Sequence, residues 1–203
     1  IAERCEWSLL GNHDYAALYE PTNFNKAAAE SAIWTRTKID SEKSEPLIAK
    51  RWDFLGQLKV RVHFDDFLCV HGSARRPINE YVFPNDPIES EKKIISIFNR
   101  IEKYCICGHT HVPGIFTEEP DFYSPADFDN NTYNLSDEKI IINPVSVGQP
   151  RDGIPLSSYA ILDQESGTVE FKRVEYDYKK VAEKIYKISE LDNWLGDRLI
   201  EGR

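Results

Sequence analysis

Three observations predict an α/β fold with a mixed sheet. Short apolar runs of strand length alternate with amphipathic helical stretches through the first half of the chain. Two longer strand-like runs follow one another late, around a Glu-Ser-Gly turn, the pattern of a hairpin. No internal repeat and no flexible linker interrupts the 203 residues, so one domain is read over 1–203.

The elements follow in order. Residues 6–10 form a short apolar run ending at Gly11, read as a strand and a tight turn. Residues 23–39 read as a helix, with Ala28, Ala32 and Thr35 on one face. Ser44-Glu45-Pro46 is a helix start, since Pro is tolerated in the first turn, and Gly56 ends that helix. Residues 59–64 and 67–70 are strands, the second running directly into His71-Gly72. Residues 87–104 read as one helix carrying Ile94, Ile97, Phe98 and Ile101 on one side. Residues 104–107 are a strand ending at Gly108-His109. Residues 118–139 are polar and acidic and read as a long surface loop with room for a short hairpin. Ile140, Ile141 and Ile142 form a buried strand ending at Asn143-Pro144. Residues 158–163 and 168–176 make the hairpin, and helices over 177–189 and 192–199 close the chain. Trp7, Trp34, Trp52 and Trp194 fall on apolar faces and are read as core.

Composition narrows the function classes. Hydrophobic residues are 41% and charged residues 29%, the balance of a folded globular protein. No apolar run approaches the roughly 20 residues a membrane helix needs, so no membrane partner is expected. Twenty-five Lys and Arg against 34 Asp and Glu give a net charge of -9. That excess repels a nucleic-acid polymer but leaves open a small phosphorylated substrate held through a bound cation. Methionine is absent and the first residue is Ile1, which reads as N-terminal truncation. The four cysteines, Cys5, Cys69, Cys105 and Cys107, make no Cys-x-x-Cys pair. Three sit in apolar runs, so reduced core thiols and a cytoplasmic location are expected.

Chemistry concentrates at strand ends. His13, His71 and His109 each stand just after a run read as a strand, beside a glycine, and His111 follows two residues on. Such positions are where α/β proteins present ligands. Asn12 offers a carbonyl oxygen; His71, His109 and His111 offer imidazole nitrogens. That donor set suits Mn, Fe, Zn or Ni better than Ca.

Gly11-Asn12-His13-Asp14, Val70-His71-Gly72-Ser73 and Gly108-His109-Thr110-His111 resemble three consecutive sequence blocks of the calcineurin-like metallophosphoesterases. Phe24-Asn25-Lys26-Ala27-Ala28, Trp34-Thr35-Arg36, Glu80-Tyr81 and residues 146–153 are similar to the YfcE-like bacterial and archaeal phosphodiesterase branch, as are the closing Arg198-Leu199 and Gly202. The likeness covers nearly the whole chain. It departs at the N-terminus: only ten residues precede Gly11, and the family's Asp-x-His and Gly-Asp blocks are not among them. A second departure is Val145, where the family has Gly; if that position needs positive φ, a β-branched residue is strained there.

The resemblance implies a four-layer α-β-β-α sandwich with two mixed sheets, its first strands missing. It implies two divalent metal ions. Asn12, His71 and His109 would bind one and His111 the other, with carboxylates from the absent blocks. His13 would be a general acid or phosphate-stabilising donor oriented by Asp14, although Asp14 can equally cap a helix. Arg75 would bind substrate phosphate, with Arg76 and Arg151 as further cations. The implied activity is hydrolysis of a phosphodiester or phosphomonoester by a hydroxide bridging metals about 3.5–4 Å apart. The substrate would be a small phosphorylated molecule or a phosphoprotein, and the chain without the missing carboxylates is expected to be inactive. The alternative is a catalytically silent protein-binding scaffold, as in the phosphoesterase-like subunit of the retromer complex; that class loses the histidine corresponding to His13, which this chain keeps.

Overall fold

The protein is seen here in a computed structural model that describes residues 1–144 and 146–203; Val145 lies outside the described residues. After a single parallel bridge between Leu9 and Lys59, the chain enters helix α1 (Asn12–Leu18), followed by α2 (Lys26–Asp40) and α3 (Glu45–Gly56). The strand expected over 6–10 thus reduces to that bridge. Strands β1 (Val62–Phe64) and β2 (Phe67–Cys69) form a hairpin. Helices α4 (Asp86–Glu89) and α5 (Glu91–Phe98) lead to β3 (Tyr104–Ile106), β4 (Gly114–Thr117) and β5 (Asp121–Tyr123). Two short 3-10 turns precede β6 (Thr132–Asn134) and β7 (Ile140–Asn143). The hairpin β8 (Ser157–Asp163) and β9 (Thr168–Val174) and helices α6 (Tyr178–Tyr186) and α7 (Trp194–Glu201) complete the chain.

Two sheets result. The larger has the order β1-β2-β3-β7-β4-β5; β2, β3 and β7 are parallel neighbours and the flanking pairs are antiparallel. The smaller, β6-β9-β8, is antiparallel throughout. Side chains alternate along a strand, so each strand of the larger sheet serves two cores. Leu68, Val70, Cys105, Cys107 and Ile141 pack with Ile94, Ile97 and Phe98 of α5. Phe67, Tyr104, Ile140 and Ile142 turn the other way and meet Val169 and Phe171 of the smaller sheet. Tyr159, Ile161 and Val174 lie exposed on that sheet's outer face.

Several elements differ from the sequence expectation. The helix expected over 87–104 breaks at Ser90, whose φ of -144° and ψ of 43° are not helical, and ends at Phe98. Strand β4 went unrecognised, because Val112-Pro113-Gly114 reads as a loop. Gly114 is needed there: a Cβ would sit 2.4 Å from Cζ of Phe122. The stretch 118–139 is not simply a loop, since β5 extends the larger sheet and β6 joins the smaller one. The tryptophans are not core. Trp7 and Trp194 are each 39% exposed, and Trp34 and Trp52 are half-buried. The cysteine expectation holds: all four are free, and Cys69, Cys105 and Cys107 are buried. Burial pushes the Cys69 thiol up to about 11 and Cys107 up to about 12.

The two-sided core makes a direct prediction. Ile141 is 1% exposed and Ile161 43% exposed. Ile141→Ala should cost about 2–5 kcal/mol of unfolding free energy, and Ile161→Ala under about 1 kcal/mol, by urea denaturation. Equal losses would show that the central strand does not carry the core.

Candidate active site

The site lies at the carboxyl ends of the three parallel strands. The pairs Cys69–Ile106 and Ile106–Ile142 are in register, so the chain leaves β2, β3 and β7 at the same height. His71 follows β2 and the Gly108-His109-Thr110-His111 turn follows β3. The amide of Gly108 donates to the His71 carbonyl at 2.9 Å, tying the two exits together. Asn12 and His13 arrive from the first turn of α1, which starts beside them at Gly11.

Asn12, His71 and His109 converge. The Asn12 Oδ1 lies 3.0 Å from His71 Nε2, which lies 3.1 Å from His109 Nδ1. One ring nitrogen carries at most one proton, so His71 cannot donate to both neighbours. A cation can satisfy all three lone pairs together. Donors about 2.0–2.2 Å from one ion at tetrahedral to right angles lie about 2.8–3.6 Å apart, which matches both separations. Burial lowers the His71 pKa to about 4 and the His109 pKa to about 3, the latter also through its neighbour His71, so both rings are neutral donors near pH 7. The residues present therefore fit one divalent ion. Among the described residues no group of three or more His, Cys, Asp and Glu side chains is placed to hold one; the third donor is an amide oxygen.

His111 lies in the same cleft, outside that cluster. Its Nδ1 donates to the Gln149 carbonyl at 2.7 Å and lies 3.1 Å from the Ser146 hydroxyl, which leaves Nε2 as the unprotonated nitrogen. Burial and the neighbouring Arg151 lower its pKa to about 4. His109 and His111 have φ of 68° and 64°, a region β-carbon side chains adopt at a cost of about 1–3 kcal/mol each. The turn is held there by Asn143 at the end of β7. Its Nδ2 donates to Thr110 Oγ1 at 2.6 Å and to the Gly108 carbonyl at 3.3 Å.

His13 is exposed on the cleft wall, its ring 4.8 Å from that of Phe24. Desolvation within the cleft lowers its pKa; Asp14 opposes the shift and Arg151 reinforces it. Asp14 takes the capping role: its Oδ2 accepts the Gly11 amide at 2.9 Å, fixing the start of α1. The helix is clamped from its other end by Arg36 on α2, whose Nε donates to the Ala17 carbonyl at 2.9 Å and whose Nη2 reaches Ala16 and Tyr19.

Arg75 is not among the residues lining the cleft. It forms a two-pronged ion pair with Glu80, whose other contact is the Ser73 hydroxyl. The loop these residues make closes tightly on Gly72, where a Cβ would sit 2.7 Å from the Arg76 carbonyl and 2.9 Å from that of Glu80. The cations that do line the cleft are Arg76, Arg151 and Arg198. The cleft, about 660 Å³, has no aspartate or glutamate among the described residues that line it. Sequence reading missed three contributors. Tyr81 stacks on His109 with ring centroids 3.6 Å apart and planes 16° from parallel. Trp194 and Arg198 enter from α7, and no periodicity signals that a terminal helix faces the site.

No protein-family profile matches the chain. The chain is 36% identical over 204 residues to the uncharacterized protein MJ0912 of Methanocaldococcus jannaschii, covering 97% of this chain and 75% of that protein. Among solved structures, the hypothetical protein PH1004 of Pyrococcus horikoshii shares the fold, with a TM-score of 0.71 at 17% identity over 100% of this chain and 75% of its own. A metallophosphoesterase from Sphaerobacter thermophilus superposes with a TM-score of 0.77 at 31% identity, over 97% of this chain and 76% of that one. A shared fold at that identity, with histidines gathered at the carboxyl ends of the parallel strands, means that the chain belongs to the metallophosphoesterases.

Proposed function

We propose that the protein hydrolyses a phosphodiester or phosphomonoester in a metal-dependent reaction, as a member of the YfcE-like branch. The observation that carries this reading is the convergence of Asn12, His71 and His109, with Asn12 and His109 lining a cleft that also presents arginines. Those three residues would hold one divalent ion, and the open Nε2 of His111 would serve a second. Such ions supply Lewis acidity toward phosphoryl oxygens.

The chain's own residues do the rest. Arg151 faces the cleft beside His111, its backbone amide donating to the His111 carbonyl at 3.0 Å, and would draw in an anionic phosphoryl group. His13 would protonate the departing oxygen. An arriving phosphoryl group favours its imidazolium form and so opposes the downward shift that desolvation imposes. Asp14 fixes the helix turn on which His13 sits, and Tyr81 fixes the plane of His109.

Two substitutions in the full-length protein separate these roles. His13→Ala should lower turnover of bis-p-nitrophenyl phosphate with Mn²⁺ by about 10²–10⁴ and leave metal content unchanged. His71→Ala should lose bound metal and turnover together. If His13→Ala loses metal, it is a ligand and not the proton donor; if it turns over at the parental rate, the acid role is wrong.

Removing the metal exposes the histidine energetics. His71, His109 and His111 have folded pKa values of about 4, 3 and 4, below the ordinary value of 6.5. Between those limits the unfolded chain binds more protons, so stability rises with pH. The chelated protein should therefore lose urea resistance as pH falls from about 6.5 toward 4, and His109→Asn should flatten that loss. A midpoint independent of pH across this window would mean the rings are not held neutral.

A further inference from the structure

We infer that Arg151 and Arg198 form an anion subsite beside the histidine cluster, and that the substrate carries a second phosphoryl group there, as in an oligophosphate. This rests on, and deepens, the phosphoesterase reading above.

The subsite is assembled from two distant segments. Helix α7 packs on α6 through Gly196, where a Cβ would fall 2.4 Å from the Tyr186 ring, and the Tyr186 hydroxyl donates to Asp197 at 2.7 Å. At its end Gly202 adopts φ 68°, and a Cβ there would lie 2.7 Å from the Ile154 amide nitrogen. The Gly153 amide donates to the Gly202 carbonyl at 2.9 Å. The helix end is thereby seated on the segment that immediately follows Arg151, and Arg198 is delivered to the same cleft.

The two guanidinium groups are held in place with donors to spare. Arg198 lies over the Trp194 ring, 4.4 Å from its centroid, and its Nε donates to the Arg203 carbonyl at 2.7 Å. Both terminal nitrogens remain for a ligand. Arg151 uses one terminal nitrogen on Gln149 Oε1 at 2.8 Å and also meets the Tyr81 hydroxyl, while its Nε is buried and has no hydrogen-bond partner among the described residues. Among the described residues neither arginine makes an ion pair, whereas Arg51, Arg75, Arg173 and Arg203 all do. The two cations are close enough that Arg151 depresses the Arg198 pKa, and burial depresses both.

A protein with a net charge of -9 has carboxylates in excess, yet among the described residues none lines this cleft. Two like charges held together without a counter-ion are unfavourable, and a multiply charged anion reverses the sign of that interaction. Planar guanidinium groups offer forked donors that match phosphoryl oxygens. A single phosphoryl group at the histidine cluster can engage Arg151 but leaves Arg198 unused; a second, adjacent group would bridge the two.

The test is equilibrium binding to full-length protein stripped with EDTA, so that metal and turnover play no part. Tripolyphosphate and orthophosphate are titrated at low salt by calorimetry. Tripolyphosphate should bind at least about tenfold more tightly than orthophosphate, a difference set by the additional charge-assisted bonds. Arg151→Gln and Arg198→Gln should each remove most of that preference. Arg198→Lys should remove part of it, and Arg100→Gln, in the turn after α5 and not among the cleft-lining residues, none. A thermal midpoint for each variant shows that the fold is intact. Equal affinity for the two anions, or a preference that survives both glutamine variants, overturns the subsite. Citrate binding as tightly as tripolyphosphate would overturn its assignment to phosphoryl groups. Either failure leaves hydrolysis of bis-p-nitrophenyl phosphate untouched, so the subsite and the phosphoesterase reading fail separately.

Discussion

The parallel ladder β2-β3-β7 is the constraint on which the site depends. Its residues are in register, and its side chains are buried on both faces. A one-residue slip would move Ile141 out of the helix-facing core and carry the His71 and Gly108 exits to different heights. The same hydrophobic alternation that stabilises the sheet therefore sets the donor separations at its carboxyl edge. A site built on strand ends in this way needs little adjustment when a ligand arrives.

The turns leaving that edge are costlier than the strands. His109 and His111 both occupy positive φ, and the conformation persists because Asn143, Gln149 and the Gly108–His71 amide contact over-determine it. Around the next turn, Glu80 gathers Ser73 and Arg75 while its chain neighbour Tyr81 lies flat on His109. Tyr81 and Gln149 touch the rings of His109 and His111 directly, while Ser73, Arg75 and Glu80 hold the loop that precedes Tyr81. Arg75 pairs with Glu80 and supports the loop, whereas Arg151 and Arg198 line the cleft.

Charge is divided unevenly over the molecule. The chain carries a net charge of -9, yet the described cleft lining carries arginines and no carboxylate, which favours an anion at the site. The depressed histidine pKa values follow from the same arrangement. Burial is the main cause, and Arg151 adds to it at His13, His109 and His111. Neutral imidazoles bind metal without first releasing a proton, which links the cleft arginines to the metal chemistry proposed for the histidines.

Much of this was legible in the residues alone. Apolar runs leading into glycine located β2 and β3, the run ending at Asn143-Pro144 located β7, and Ser44-Glu45-Pro46 marked the start of α3, because these are local signals. Histidines placed just after apolar strands identified the site for the same reason. Strand β4 and the split of α4 from α5 were not legible, since Gly114 and Ser90 acquire meaning only from Phe122 and from the packing of Ile94 and Ile97. Nor did the sequence distinguish Arg75 from Arg151. Both follow a conspicuous block, and only the fold brings Glu80 to one and Arg198 to the other. The sequence by itself determined which chemical groups stand at the strand ends, because alternation and turn residues act over a few positions. Tertiary structure alone decided which of them converge and that a helix from the far end of the chain walls the cleft, because those depend on contacts between residues tens of positions apart: 59 for Asn12 with His71 and 38 for His71 with His109.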